Sequence, residues 1–404
     1  ADFETLDRHL GNPISRIPRG RACLDAEDVW LRALAQGDLL LDGEAAVRAY
    51  FPWLRTGLAA RIARQGDVPG PHHGLVGPQP GLDPRQDDQV VVSSSSLEAL
   101  GTCPLRYFYS YVLGVKPPDE ASLDPERWLD PLRRGELLHT VYDRTLDTAK
   151  ADGLSPGDES FRERALAILS EEAEAMSLEV PPPSGVIYGQ ECADLVSETL
   201  SFVGMLSEDL LQWKETELRF GLDGSEHPAV ELPLPSGGVI RLRGAIDRVD
   251  ALPSGALRVV DYKTGAASPF SNVTVWNRGR RLQHLLYTEV AERLLGHPVD
   301  RMEYHFPTRK GENERIRFPR TDLREGPTLL DRVLDLVATG RFLPTEQTTD
   351  CRSCDFKAVC RVTNDRFGNT KSPLADWGRS HLESEPYATF QLVRLFRDRG
   401  GKKQ

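Results

Sequence analysis

The chain has 404 residues, 39% hydrophobic and 27% charged, the balance of a globular protein with room for two or three domains. A formal net charge of -11 argues against a wholly basic nucleic-acid-binding surface, although a local stripe of Lys and Arg is enough to hold phosphates. No apolar run is long enough to span a bilayer and no secretory signal opens the chain, so no membrane contact and a cytoplasmic setting are expected.

Residues 1–65 read as a helical N-terminal segment, with amphipathic stretches such as "AEDVWLRALAQG" and no catalytic motif. The first residue is Ala, which suggests either removal of Met or a piece of a longer protein. Residues 66–92 are rich in Pro and Gly and read as a linker or long surface loop. His72 and His73 within it read as solvated loop residues.

A new unit begins at "VVVSSSSLEALGTCPLRYFYSYVLG", where the serines before "LEAL" form a helix N-cap and Cys103 lies near the end of a short helix. The aromatics Tyr107, Phe108, Tyr109 and Tyr111 either pack beside Cys103 or stack bases. "RRGELLHTVYDRTLDTAK" predicts a second helix whose apolar face is Leu138, Val141, Tyr142, Thr145 and Leu146. His139 lies beside that face, as a structural histidine or as a ligand. Two further helices follow between Phe161 and Trp213, broken at Pro181 to Gly185.

The period then changes. "ETELRFGL", "VIRLRGAIDRVD" and "LRVVDYKTG" read as strands, and "RRLQHLLYTEVAERLLG" as an amphipathic helix stopped by Gly296. "DRMEYHFPT" reads as a fourth strand, paired with "ERIRFPR". The order gives an α/β core, a small mixed β-sheet flanked by helices. No G-x-x-x-x-G-K-[ST] pattern occurs, so these residues hold no P-loop ATPase.

Asp261 and Lys263 are two apart on one strand and share a face. Asp247 and Asp261 each lie seven residues from Ser254, in the turn "LPSG", so a hairpin centred there opposes them. Opposed residues have Cβ atoms roughly 4.5–5.5 Å apart, and carboxylates that close invite a divalent cation unless they are strand-end charges facing water. Gln283 and Tyr287 share a face of the next helix, across a loop holding Arg278, Arg280 and Arg281. These arginines fit phosphate or a solvated helix start.

The six cysteines include Cys351, Cys354 and Cys360 in "DCRSCDFKAVCR". With Cys103 as fourth thiolate, zinc and a [4Fe–4S] cluster both fit. Cys23 and Cys192 fall in no pattern and read as buried or incidental thiols. Residues 363–404 form a C-terminal extension, where Arg394, Arg397, Arg399, Lys402 and Lys403 read as a solvated tail or a phosphate track.

In order, "GELLH", "GAID", "DYK" and "QHLLY" resemble the RecB-type nuclease branch of the PD-(D/E)XK superfamily, over residues 93–362. The resemblance implies a restriction-endonuclease-like core. It implies that His139, Asp247, Asp261 and the carbonyl of Tyr262 hold Mg2+ or Mn2+. Lys263 would position the attacking water, and Gln283 and Tyr287 would orient the site and the DNA. The C-x-x-C-x-x-x-x-x-C spacing with an upstream Cys resembles the AddB-type helicase–nucleases, which implies a [4Fe–4S] cluster on Cys103, Cys351, Cys354 and Cys360. That cluster would staple the two ends of the domain. The implied activity is DNA exonuclease in double-strand-break resection, with a helicase partner and a nucleoid-associated location. The alternatives are a free-standing RecB-like iron–sulfur nuclease for single-stranded DNA, or a non-catalytic DNA-binding scaffold.

Overall fold

The computed structural model describes residues 52–66, 69–116, 124–209, 212–271, 274–360 and 374–396, with Cys23 and a few isolated positions near it. Two compact units divide between Asp67 and Val68. In the first, a 3-10 turn leads into helix α1 (Arg55–Gln65), with no buried side chain among its described residues. Most of the helical N-terminal segment expected over 1–65 lies outside the described residues.

The second unit is built on a seven-stranded mixed sheet, ordered β1-β4-β5-β6-β7, with β2 and β3 also paired to β4. The strands are β1 (Val91–Ser93), β2 (Gln212–Phe220), β3 (Val230–Pro233), β4 (Val239–Ala251), β5 (Leu257–Tyr262), β6 (Val299–His305) and β7 (Arg315–Pro319). Strands β1 and β3 escape sequence reading because they are three and four residues long, too short for a period. The longer helices are α2 (Ser94–Thr102), α3 (Pro131–Asp152), α4 (Glu159–Glu179), α5 (Gly185–Asp209), α6 (Gln283–Leu295) and α7 (Gly326–Ala338). A shorter α8 (Ala388–Arg394) closes the described chain.

The local signals act as expected at several ends. Ser93 caps α2 by accepting the Ser96 N–H at 3.2 Å. Gly296 ends α6 in the left-handed region at φ 67°. The five residues predicted to form the apolar face of α3 are all buried.

Every residue of β5 is buried, because both sheet faces are covered. Leu257 and Val259 point into a core shared with α6, α7 and α8, including Leu285, Val290, Leu330 and Phe390. Val260 and Tyr262 point the other way, into a second core with Leu138, Tyr142, Phe161 and Phe202 of α3, α4 and α5. This alternation decides the site. Asp261 and Lys263 must look toward α6, while Tyr262 between them anchors in the α3–α5 layer.

The β4–β5 hairpin pairs Arg248 with Val260 and Asp250 with Arg258. Continuing that register by one position sets Asp247 against Asp261, as the turn count around Ser254 predicts.

The Pro/Gly-rich stretch after residue 68 is a loop laid against the body. Val76 donates its N–H to Gly340 O at 3.0 Å, and Arg85 pairs with Asp83, Asp331 and Asp335. His73 is buried there rather than solvated, and its Nδ1 accepts the Gly70 N–H at 3.2 Å. Among the described residues, no helix is long and apolar enough to cross a membrane.

Candidate active site

Lys263 Nζ lies 2.5 Å from Asp261 Oδ2 and donates to Gln283 Oε1 at 2.9 Å. The Gln283 Nε2 donates in turn to Asp261 Oδ1 at 2.8 Å. A single amide on α6 therefore holds both ends of the D-x-K pair. The first turn of α6 has no cap of its own. Glu98 of α2 supplies one, its Oε1 accepting the N–H groups of Leu282 at 2.7 Å and Gln283 at 2.9 Å. Glu98 is invisible to motif reading because its partner is 185 residues away.

Asp247 reaches across the hairpin end. Its Oδ2 accepts the Tyr262 N–H at 2.6 Å and lies 3.5 Å from His139 Nδ1. The structure thus brings together His139, Asp247, Asp261, Lys263 and Gln283 from one helix, two strands and a second helix. Tyr287, one turn along α6, is buried beside Gly244 of β4, and its hydroxyl engages Gln283 and Ser94.

The charges are not balanced. Burial together with Asp247 pushes the Asp261 carboxyl up to about 6, against the pull of Lys263 and His139. Glu217 of β2 joins them without any motif to announce it. Burial and the charges of Asp247 and Asp143 raise it to about 7. Asp143 on α3 rises to about 6 through burial and Asp147. Burial opposes the charged forms of Lys263 and His139, yet Asp261 for the lysine and Asp247 for the histidine hold both above their ordinary values. Asp247 and Asp261 thus act on both His139 and Lys263, while Glu217 and Asp143 add their charge on the Asp247 side. Glu217 lies between Thr216 and Leu218, which pair with Arg248 and Ile246, so the β2–β4 register sets it against Asp247, and its φ of 41° departs from strand geometry there.

Tyr262 holds the site from behind. Its hydroxyl accepts from Arg248 Nη1 at 2.6 Å, and its ring packs edge-on to Tyr142 and Phe202. Arg248 belongs to a buried ionic network. Its Nε lies 2.9 Å from Asp250 Oδ1, Arg258 contacts Asp250 and Asp209, and Glu303 joins Arg258, Arg301 and His305.

The three arginines that fit phosphate or a solvated helix start each contact other groups of the protein. Arg280 is ion-paired with Asp350 at 2.7 Å, and Arg278 lies 3.5 Å from Glu346. Arg281 is buried, lies 3.9 Å over the Phe270 ring and donates to the carbonyls of Pro269 and Phe270. Its cation faces an aromatic ring because the loop turns inward before α6. Arg394 is not in a solvated tail. It is fully buried on α8, donating to the carbonyls of Gly101, Thr102 and Arg278 and to Glu346. Arg397, Arg399, Lys402 and Lys403 lie outside the described residues.

Cys103, Cys351, Cys354 and Cys360 line one cavity, with Leu105, Tyr109 and Phe356 as apolar wall. The Thr345 N–H donates to Cys103 Sγ at 3.4 Å, and the Arg106 backbone N–H also engages it. Burial pushes the Cys103 thiol up to about 12 and the Cys351 thiol up to about 11. Among the described residues, no group of three or more His, Cys, Asp or Glu side chains is arranged to hold a metal ion. Cys23 and Cys192 are half-buried free thiols.

Residues 91–361 match the model of the PD-(D/E)XK nuclease superfamily. A curated protein of Symbiobacterium thermophilum, named as one of the subunits of an ATP-dependent helicase/deoxyribonuclease, is 31% identical over 303 residues, covering 69% of this chain and 23% of that protein. Proteins of the same name from Desulfitobacterium hafniense and Clostridioides difficile are each 28% identical, over 286 and 210 residues. They are covered to 23% and 17% of their lengths, and 68% and 49% of this chain is aligned. The chain therefore spans less than a quarter of these relatives. Since the matched region is most of the second unit and contains the Asp247, Asp261 and Lys263 constellation on a mixed sheet, the chain belongs to the PD-(D/E)XK nuclease superfamily.

Proposed function

We propose that this chain is the nuclease part of a helicase–nuclease, a Mg2+- or Mn2+-dependent DNA exonuclease serving double-strand-break end resection and recombinational repair. The observation that carries it is the single hydrogen-bonded unit of Asp261, Lys263 and Gln283, set against Asp247 and His139. A purely structural cluster has no need to set Asp247 and Asp261 together beside one lysine and one histidine, with Glu217 and Asp143 coupled to Asp247 as well.

The donor set suits a hard divalent cation, since it offers carboxylate oxygens and an imidazole with an excess of negative charge. His139, Asp247 and Asp261 would hold it, with the carbonyl of Tyr262. A cation there would acidify a water and offset charge on the phosphate. Lys263 orients that water and faces the developing negative charge. Gln283 fixes Lys263 and Asp261 in one geometry, and Tyr287 supports Gln283 from the same helix.

Cys103, Cys351, Cys354 and Cys360 fit a [4Fe–4S] cluster in donor chemistry. They share one apolar-walled cavity, and two backbone N–H groups address Cys103 Sγ, the kind of hydrogen bond that tunes cluster thiolates. The group would be structural, joining the start of the nuclease unit to its end. A helicase partner is supported by the names of the relatives. A cytoplasmic, nucleoid-associated setting follows from that role.

The test is digestion of single-stranded DNA in Mg2+ by the full chain and by Asp261→Ala. Loss of roughly a hundredfold or more in rate is expected, the scale of removing a transition-state electrostatic partner. A normal rate in the variant would overturn the assignment.

A further inference from the structure

Of the four aromatics after Cys103, three are absorbed by packing. Tyr107 is buried, Phe108 stacks on Phe342 at 4.6 Å, and Tyr109 packs against Phe356 at 5.3 Å. Tyr111 is not; it is 45% exposed. It is the outer member of a ring stack, 5.6 Å from Tyr107, which lies 6.3 Å from Phe342, with interplanar angles of 28° and 20°. The stack is fixed from below and open above. It stands on a π-helical turn, Phe108–Val112, an irregularity often found at functional sites.

The position of Tyr111 gives this a use. It lines one groove with Thr102, Arg106, Lys263, Gln283, Arg280 and Glu98, the last two already engaged with Asp350 and with the start of α6, and with the hydroxyl of Ser95. The proposed catalytic lysine is therefore part of the wall of that groove. Arg106 and Thr102, in the same wall, also line the cavity of the four cysteines. Arg106 makes no ion pair among the described residues, unlike Arg278 and Arg280, which face Glu346 and Asp350. An uncommitted cation, two hydroxyls and a preset aromatic face, leading from a nuclease centre, match a single nucleic-acid strand: charge for phosphate, ring for base.

We infer that the groove over α2 is the path of the substrate single strand, with Tyr111 stacking a base and Arg106 contacting a phosphate on the way from Lys263 toward the cysteine cavity. This rests on the nuclease reading and adds a direction to it. It also gives the cysteine region a part in substrate binding, since Cys103 is the N-cap of the short helix Pro104–Tyr107, which carries Arg106 and runs on into the π-helical turn of Tyr111.

The test uses the full chain and single-stranded oligodeoxynucleotides in two measurements. In steady-state cleavage, Tyr111→Ala should raise KM roughly tenfold, the scale of one lost base stack, with kcat little changed and Tyr111→Trp close to wild type. Arg106→Gln should lower the slope of log affinity against log salt by about 0.7, the share of one phosphate on a single strand. In the second measurement, an oligonucleotide bearing 5-iodouracil a few positions from its end should photo-crosslink to Tyr111, mapped by mass spectrometry. That readout does not depend on how a variant folds. Crosslinks confined to other faces, or an unchanged KM and salt slope in well-folded variants, would overturn the groove while leaving the nuclease assignment intact. Failure of wild type to cleave, or normal cleavage by Asp261→Ala, would strike the nuclease reading instead.

Discussion

Glu98 accepts the backbone N–H of Gln283 at 2.9 Å, so a side chain of α2 caps the helix that aims the central amide of the site. Glu98→Ala leaves two helix-start N–H groups without that acceptor and should cost about 1 kcal/mol of stability, a usual value for a lost cap. It should also lower kcat, because Gln283 loses its fixed entry angle. Glu98→Gln keeps an oxygen acceptor and should recover most of both. Paired measurement of melting temperature and kcat in the two variants checks this, and an unaltered kcat in Glu98→Ala would refute the positioning role.

Arg248 and Tyr262 give a graded pair of substitutions. Tyr262→Phe removes one hydroxyl that accepts from Arg248 but keeps the ring in its aromatic cage, and should cost about 1 kcal/mol with activity retained. Arg248→Met leaves Asp250 and Asp209 short of a cation in a buried setting and should cost about 3–5 kcal/mol. Denaturant midpoints of the two variants separate these magnitudes.

His284 predicts a pH effect on stability. It lies between Trp276 and Phe318, fully buried, with neither ring nitrogen hydrogen-bonded to any described residue. Burial, aided by Arg281, lowers it to about 3. The folded state therefore keeps it neutral while the unfolded chain protonates near pH 6.5. Its contribution is complete above that pH and is lost as pH falls toward 3. Replacing it in His284→Phe should reduce the stability lost between pH 7 and pH 5 by about 2 kcal/mol. His305, lowered to about 4 by burial, retains its own share of the acid sensitivity. Urea titrations of both proteins at pH 7 and pH 5 decide the matter; equal losses would contradict it.

Gly101 packs α2 onto the arginine loop backbone to backbone. A Cβ there would fall 1.9 Å from Gly279 O, where no side chain can swing away. Gly101→Ala should destabilise by about 1–3 kcal/mol or more through overpacking. Gly189→Ala, in α5 with nothing near its Cβ position, should instead gain about 0.5–1 kcal/mol. Opposite shifts in melting temperature are the expected result.

The cysteine assignment predicts colour. Protein purified without air should be brown and carry iron and sulfide, and Cys354→Ser should lose both and melt at a lower temperature. A colourless, iron-free wild type would remove the cluster from the proposal.

Much of this architecture is legible in the residues themselves. The hairpin register follows from counting around Ser254, and the faces of β5 and α6 follow from periods of two and about four. What stays hidden depends on long-range partners. Glu98 has its role only because α2 meets α6, and Glu217 only because the pairing of β2 with β4 sets it against Asp247. The buried ionic network is equally silent, since Arg248, Asp250, Arg258 and Glu303 read as ordinary strand charges until burial on a covered sheet face is known. Arg394 and Arg281 mislead for one shared reason. Composition near a chain end or in a loop suggests solvent, whereas each of these cations satisfies backbone carbonyls inside the fold.

The buried guanidinium of Arg394 bears on how this nuclease can be cut down for study. The family match stops at residue 361, yet the cation that binds the end of α2, the arginine loop and Glu346 sits more than thirty residues beyond it. A fragment trimmed to the family boundary would leave three inward-facing carbonyls and a carboxylate without their donor. It would also strip Phe390 and Val393 from the core. An expression plasmid for a minimal catalytic piece should therefore run through residue 396 at least.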